Sequence, residues 1–222
     1  MEENSCVIIS GGEACSLRDI SAAYIIACDR GYAYARSAGL RPDAVIGDFD
    51  SFDGGGELAR QDGVPVIQLP VRKDDTDTMK AARYALEQGY TDITLLCALG
   101  GRLDHLLANL QTAAFVVKHG GRARIVSDDT EVTVFSGGTE RFMRRDGRSL
   151  SVFALSDCCT GVSIRGASYD MEDGVLENSF PLGVSNAWKE PVTEISVKTG
   201  ILAVVSAEYA EGEAIHDEKI PE

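Results

Sequence analysis

Three short acidic runs hold the residues most able to do chemistry in this chain: Gly47-Asp48-Phe49-Asp50-Ser51, Lys73-Asp74-Asp75-Thr76-Asp77 and Gly100-Gly101-Arg102-Leu103-Asp104-His105. Each stands where a strand-like apolar run gives way to a turn. Carboxylates crowded at such turns repel one another unless a cation neutralises them, and oxygen donors suit a hard divalent ion. Lys73 and Arg102 add donors that match phosphate oxygens, so the combination points to a magnesium-phosphate site. Any single run is read equally well as a capped, acidic helix N-terminus. Three independent caps would have no need of an Asp-x-Asp pair, or of Gly-Gly-Arg followed at once by Asp and His.

The elements that must position these runs follow from periodicity. Strands are expected at Cys6 to Ser10, Tyr24 to Cys28, Ala44 to Ile46, Val64 to Leu69, Ile93 to Leu99 and Arg124 to Ser127. Helical spacing covers Tyr32 to Ala38, Asp75 to Gln88 and Leu103 to His119, with Gly39, Gly89 and Gly120 as stops. Strand-helix alternation predicts a parallel, Rossmann-like α/β sheet covered on both faces, with ligands beyond the carboxyl ends of its strands. Asp29, Asp48, Asp50 and Asp104 fall there. Ser10-Gly11-Gly12 after the first strand would admit a phosphate or nucleotide to the backbone, although two glycines also make an ordinary turn. No P-loop and no covalent-catalysis motif is present.

After residue 129 the runs become short, β-branched and separated by Gly, Asp and Ser: Glu131 to Phe135, Ser149 to Leu155, Gly161 to Arg165, Thr193 to Val197 and Ile201 to Ser206, the last two joined by a hairpin turn at Lys198-Thr199-Gly200. The expected division is therefore an α/β domain over 1–128, an all-β sandwich domain over 129–210 and an acidic, mobile tail over 211–222, with His216 a solvated residue of that tail.

Composition narrows the function. With 222 residues the chain can bury a substantial core, and a net charge of −14 argues against a general nucleic-acid surface. The acidic start Met1-Glu2-Glu3-Asn4 is unlike a signal peptide and no apolar run reaches bilayer length, so a cytoplasmic protein without membrane contact is expected. Six cysteines lack zinc-ligand spacing; Cys6, Cys28 and Cys97 read as small buried residues, whereas adjacent Cys158-Cys159 is the pair with redox potential to consider.

Taken in order, Asp29-Arg30-Gly31, Pro42-Asp43, Gly47-Asp48-Phe49-Asp50-Ser51, Lys73-Asp74-Asp75-Thr76-Asp77, Gly100-Gly101-Arg102-Leu103-Asp104-His105 with Asn109, and Ser185-Asn186 resemble thiamine pyrophosphokinases. The resemblance implies an α/β domain followed by a β-sandwich, a homodimer with shared active sites, and transfer of diphosphate from ATP to thiamine, giving thiamine diphosphate and AMP with Mg2+ as cofactor. Carried over residue by residue, it implies Asp48, Asp50, Asp74 and Asp77 as metal ligands. Ser10, Gly11, Asp29, Lys73, Thr76, Arg102 and His105 would meet ATP. Asp77, Arg102 and Asp104 would be catalytic, and Asp104, Ser185, Asn186 and Trp188 would meet thiamine. Trp188 would either stack on the cationic rings or anchor a core, and Asn109 would either support the site or cap a buried turn. Arg30 departs from the family's usual glycine, and Met79 from an acidic residue. Two other readings share the motifs: a diphosphokinase for another heterocyclic alcohol, such as a pterin, and a nonenzymatic sensor of thiamine diphosphate or nucleotide. A structural calcium protein is disfavoured, because no EF-hand loop occurs.

Overall fold

Runs of Ile, Val, Leu, Ala and Cys flanked by turns form the strands of an α/β sheet in the computed structural model, which describes residues 3–18, 20–47, 55–67 and 75–209. The chain divides into two compact units, Met1–Phe135 and Ser136–Glu222. Asp48, Asp50, Lys73, Asp74 and the 211–222 tail with His216 lie outside the described residues.

In the first unit, β1 (Ser5–Ile9), β2 (Tyr24–Cys28), β3 (Ala44–Ile46), β4 (Val66–Ile67), β5 (Asp92–Leu96) and β6 (Arg122–Val126) are parallel, in the order β6-β5-β1-β2-β3-β4. The opening part of β7 (Thr130–Met143) returns antiparallel along β6. Strand residues are apolar on both faces because both faces are covered: Ile8, Ile26, Ile93, Leu95 and Ile125 are fully buried, each contributing about 1.5–3 kcal/mol. Helix α1 (Gly31–Ser37) packs Ala35 with Val7 and Ile9 on one face, and α2 (Gly55–Gln61) packs Ala59 with Ala27 and Val45. Alternation along β2 turns Cys28 to the other face, where its thiol meets the Asp77 carbonyl at the start of α3 (Asp77–Glu87). Helix α4 (Leu103–Lys118) packs beside α3.

Chain order explains where a cleft must open. The strands run outward from β1 to β4, then the chain crosses back to place β5 on the other side of β1. The loops after β1 and β5 therefore flank the point where strand order reverses, the crevice at which α/β sheets take ligands.

The second unit is β throughout its described residues: the remainder of β7, β8 (Arg148–Ala154), β9 (Cys158–Arg165), β10 (Met171–Glu177), β11 (Gly183–Asn186) and β12 (Val192–Glu208). The expected hairpin at Lys198-Thr199-Gly200 is not formed. β12 runs unbroken through it, pairing Glu194 to Thr199 with β9 and Leu202 to Glu208 with β8. The two halves have different partners instead of each other, and Gly200, at φ +95°, bends the strand without reversing it. A side chain there would collide with Cys159 and the Cys158 carbonyl.

Strands β10 and β11 and helix α2 escape sequence periodicity. β10 carries Glu172 and Asp173, poor strand formers alone; it pairs antiparallel with β9, and the two carboxylates meet Arg165 at 2.7 Å and Lys198 at 2.6 Å. Helix α2 opens on two glycines, which weaken any helical signal. Among the described residues, no helix is long and apolar enough to cross a membrane.

Candidate active site

At the crevice between β1 and β5 lies an open cleft of about 1030 Å³. Its walls bring together Ser10 and Gly11 from the loop after β1, Asp29 and Arg30 after β2, Thr76, Asp77 and Lys80 at the start of α3, and Arg102 and His105 at the start of α4.

Each wall is fixed by local chemistry. Thr76 caps α3 by accepting the Met79 amide at 3.2 Å, which sets Asp77 in the first turn. The amide at Met79 is thus what the turn uses, whatever side chain stands there. Thr78 donates to Ser10 across 3.0 Å in a buried contact, tying α3 to the loop after β1. Two amides of that loop are already engaged, Ser10 with the Leu96 carbonyl and Gly12 with the Cys97 carbonyl. Asp29 has φ +48° and is buried, and the next turn is held open by Gly31: a Cβ there would stand 2.1 Å from the Ile9 carbonyl oxygen. Asn109 lines the cleft and donates to the Ala98 carbonyl at 2.7 Å, so it both faces the site and caps the turn after β5.

The carboxylates carry their own cations. Asp77 Oδ1 accepts from Lys80 Nζ at 2.7 Å, Asp75 pairs with Arg83 at 2.9 Å, and Asp104 takes both Nε and Nη2 of Arg102 at 3.1 and 2.6 Å. The Arg102 hydrogen bonds hold the Asp104 carboxyl below the usual range and raise the guanidinium. Charge on these three acids is therefore offset within the protein, so crowding of Asp75, Asp77 and Asp104 does not by itself call for a metal. Among the described residues no three His, Cys, Asp or Glu side chains gather as a metal-binding group. The donors on the described wall are nevertheless hard carboxylate oxygens, the chemistry Mg2+ prefers.

Lys80, like Glu13 and Tyr34, lines the cleft without having been singled out in the sequence. Its signal was the i, i+3 spacing from Asp77, which puts the two on one helical face.

The residues expected at thiamine lie in the second unit. Ser185 is exposed with φ +58°, its amide bonded to Ser151 Oγ at 3.0 Å. Asn186 is buried, and its amide group is spent on Tyr169, accepting from its N–H at 3.0 Å and donating to its carbonyl at 2.8 Å. Trp188 is 8 % exposed and its indole N–H donates to the Phe142 carbonyl at 3.3 Å. Both readings of Trp188 from sequence, a stacking face for thiamine or a core anchor, begin from this buried indole.

The family model for the catalytic domain of thiamin pyrophosphokinase matches residues 19–125, and that for its vitamin B1 binding domain matches residues 140–202. The chain belongs to the thiamine pyrophosphokinase family. It is accordingly an enzyme of the thiamine diphosphokinase class. A thiamine pyrophosphokinase of Bacillus subtilis is 25% identical over 182 residues, covering 81% of this chain and 85% of the relative. Among solved structures, thiamine pyrophosphokinase from Bacillus subtilis superposes with a TM-score of 0.83 at 24% identity, over 93% of this chain and 100% of that one. The enzyme from Geobacillus thermodenitrificans gives 0.80 at 26%, over 93% and 98%. Yeast thiamin pyrophosphokinase keeps the fold at 12% identity, with a TM-score of 0.75 over 93% and 87%. For this family member, the cleft lies wholly within the first unit and is lined by the part matched to the catalytic domain together with the loop after β1.

Proposed function

We propose that this chain makes thiamine diphosphate by moving the terminal diphosphate of ATP to the hydroxyethyl oxygen of thiamine, with Mg2+ as cofactor. The observation that most supports this reading is the convergence of Arg30, Lys80, Arg102 and the carboxylates Asp29 and Asp77 on one cleft at the strand switch point. Diphosphate transfer asks little covalent chemistry of a protein; it asks for positioning and for charge to meet the polyphosphate.

In this reading the thiamine oxygen bonds to the β-phosphorus of ATP, the bond from that phosphorus to the bridging oxygen of AMP breaks, and the hydroxyl proton is released. Arg102 and Lys80, with Lys73, receive phosphate oxygens, and Thr76, His105, Ser10 and Gly11 line the polyphosphate. The Arg102–Asp104 pair is exposed, so water already competes with it and a phosphate can take the guanidinium at little cost. Asp104 is then available to the thiamine aminopyrimidine or alcohol. Asp48, Asp50, Asp74 and Asp77 would hold Mg2+, which when bound offsets charge on the bridging phosphate oxygens.

Thiamine is met by Ser185 from a β-rich, sandwich-like domain of the partner subunit, with Asn186 and Trp188 shaping the loop that presents it. Exposed Phe180, Leu182 and Val184 beside that loop support a surface covered by a second copy. The reading extends to a cytoplasmic homodimer acting on small molecules.

The deciding experiment is incubation with Mg-ATP and thiamine, followed by product analysis. Thiamine diphosphate and AMP in equal amounts support the reading; ADP with thiamine monophosphate, or no product with thiamine while another heterocyclic alcohol reacts, overturns it.

A further inference from the structure

Cys15 and Cys97 are far apart in sequence, 82 residues, yet their sulfurs stand 3.4 Å from each other beside the cleft. Cys15 follows the cleft-lining residues of the loop after β1; Cys97 opens the loop after β5. The same loops are joined by the Gly12 amide, which donates to the Cys97 carbonyl at 2.9 Å. Cys97 has φ +52°, a left-handed backbone costly for a residue with a side chain, and this aims its thiol at Cys15.

We propose that Cys15 and Cys97 are a site of reversible covalent modification, forming a disulfide that staples the two cleft loops when the chain meets a low-molecular-weight disulfide.

The two sulfurs have different roles. Cys15 Sγ accepts a hydrogen bond from the Cys97 amide at 3.2 Å and meets the Cys97 thiol at 3.4 Å, where either sulfur can donate, and it is the more exposed of the pair. The thiol hydrogen bond, and next to it the amide, outweigh partial burial and nearby Asp128 to bring the Cys15 thiol from 9.0 down to about 7, while its partner is pushed up. Cys15 is therefore the attacking thiolate and Cys97 the resolving thiol. In the first step Cys15 S⁻ bonds to one sulfur of the small disulfide, whose S–S bond breaks and releases one thiolate. In the second, Cys97 gives its proton to that thiolate and attacks Cys15 Sγ, expelling the other half. Two protein thiols are oxidised and one disulfide is reduced to two thiols. Closure requires the sulfurs to approach from 3.4 Å to about 2.0 Å.

The adjacent Cys158 and Cys159, considered from sequence as a redox pair, are not equivalent. They sit on successive positions of β9, so their side chains take opposite faces, one exposed and one buried.

The test is to treat the intact protein with glutathione disulfide and then count thiols and map peptides without reduction. The expected result is loss of two of the six thiols, a Cys15–Cys97 linked peptide, and full recovery with dithiothreitol. Cys15→Ser should keep its remaining thiols, including Cys97, under the same treatment. Because Cys97 is buried and its own replacement risks misfolding, the Cys15 variant is the deciding one. A stable glutathione adduct at Cys15 with Cys97 still reduced, a link between other cysteines, or an unchanged thiol count would overturn the proposal. These readouts are independent of turnover, so they stand or fall separately from the proposed reaction.

Discussion

Lys80 Nζ lies 2.7 Å from Asp77 Oδ1, one turn along α3, and the two side chains are only 13% and 20% exposed. The carboxylate assigned to a metal thus has a resident cation at close range. A pair this sheltered responds strongly to loss of one member, because the survivor stays partly desolvated without its partner. Asp77→Asn is expected to lower turnover at least about a hundredfold, as loss of charge stabilisation worth a few kcal/mol would. Lys80→Met is expected to reduce stability by about 1–3 kcal/mol in urea titration, and the double variant to recover part of that. Wild-type turnover in Asp77→Asn, or no change in the urea midpoint of Lys80→Met, would count against this account.

Arg102 and Asp104 behave oppositely, being exposed. Arg102→Ala should leave the melting temperature nearly unchanged while raising the KM for ATP about tenfold or more, with the KM for thiamine moving less. Steady-state kinetics with each substrate varied in turn separate the two. A thiamine effect larger than the ATP effect would reverse the assigned roles.

Gly31 admits no side chain, since a Cβ would stand 2.1 Å from the Ile9 carbonyl oxygen, which is backbone and cannot swing aside. Gly31→Ala should cost about 1–3 kcal/mol or more through forced separation of α1 from β1. Chemical denaturation measures it; a neutral substitution would mean that the two backbones part easily.

Much of this was legible in sequence for physical reasons. Helices α3 and α4 carry regular apolar spacing and recognisable stops, so their expected spans differ from those observed by a residue or two. Strands β1, β2 and β3 are almost wholly apolar because both faces are buried. Legibility failed where stability comes from partners remote in sequence. β10 is held by its antiparallel ladder with β9, to which exposed ion pairs from Arg165 and Lys198 add little, and the bend at Gly200 makes sense only once β8 and β9 are both present. Within the site, motif order pointed to Asp77 and Arg102, while Lys80 had no motif of its own. Trp188 carried two readings in sequence, ligand stacking or a core anchor, and it is buried with its indole N–H on the Phe142 carbonyl.

Tyr32 donates to Asp62 at 2.6 Å, and its hydroxyl is raised from 10.0 to about 12, first by burial and then by that hydrogen bond to a carboxylate. The folded chain therefore binds this proton more tightly than the unfolded chain. Its stabilising contribution is complete below about pH 10 and is lost as pH rises toward about pH 12. Urea midpoints should fall across that window, and Tyr32→Phe should fall less. Equal losses in both proteins would assign the alkaline sensitivity elsewhere, such as to buried Cys6, which burial raises to about 12.

If sites are shared between subunits, Asp77→Asn and Ser185→Arg damage different halves of each site. Mixing equal amounts, once subunit exchange is demonstrated, should restore about a quarter of wild-type turnover, because half the dimers carry one undamaged site of two. Exchanged mixtures as inactive as either parent would place both residues in one subunit's site, or Ser185 outside it.

The long strand β12 has a consequence for synthesis. β8 and β9 are each bonded to β12 and to a further strand, β11 or β10, but not to one another, and β12 also neighbours β7. As the ribosome delivers the chain, the first unit's sheet can assemble early, whereas the β-rich unit holds only separate two-stranded pieces, which are marginal alone. Their exposed edges wait for residues 192–208. A chain stalled just short of that stretch would present unpaired strands to its neighbours, so this is the interval in which a chaperone would matter most.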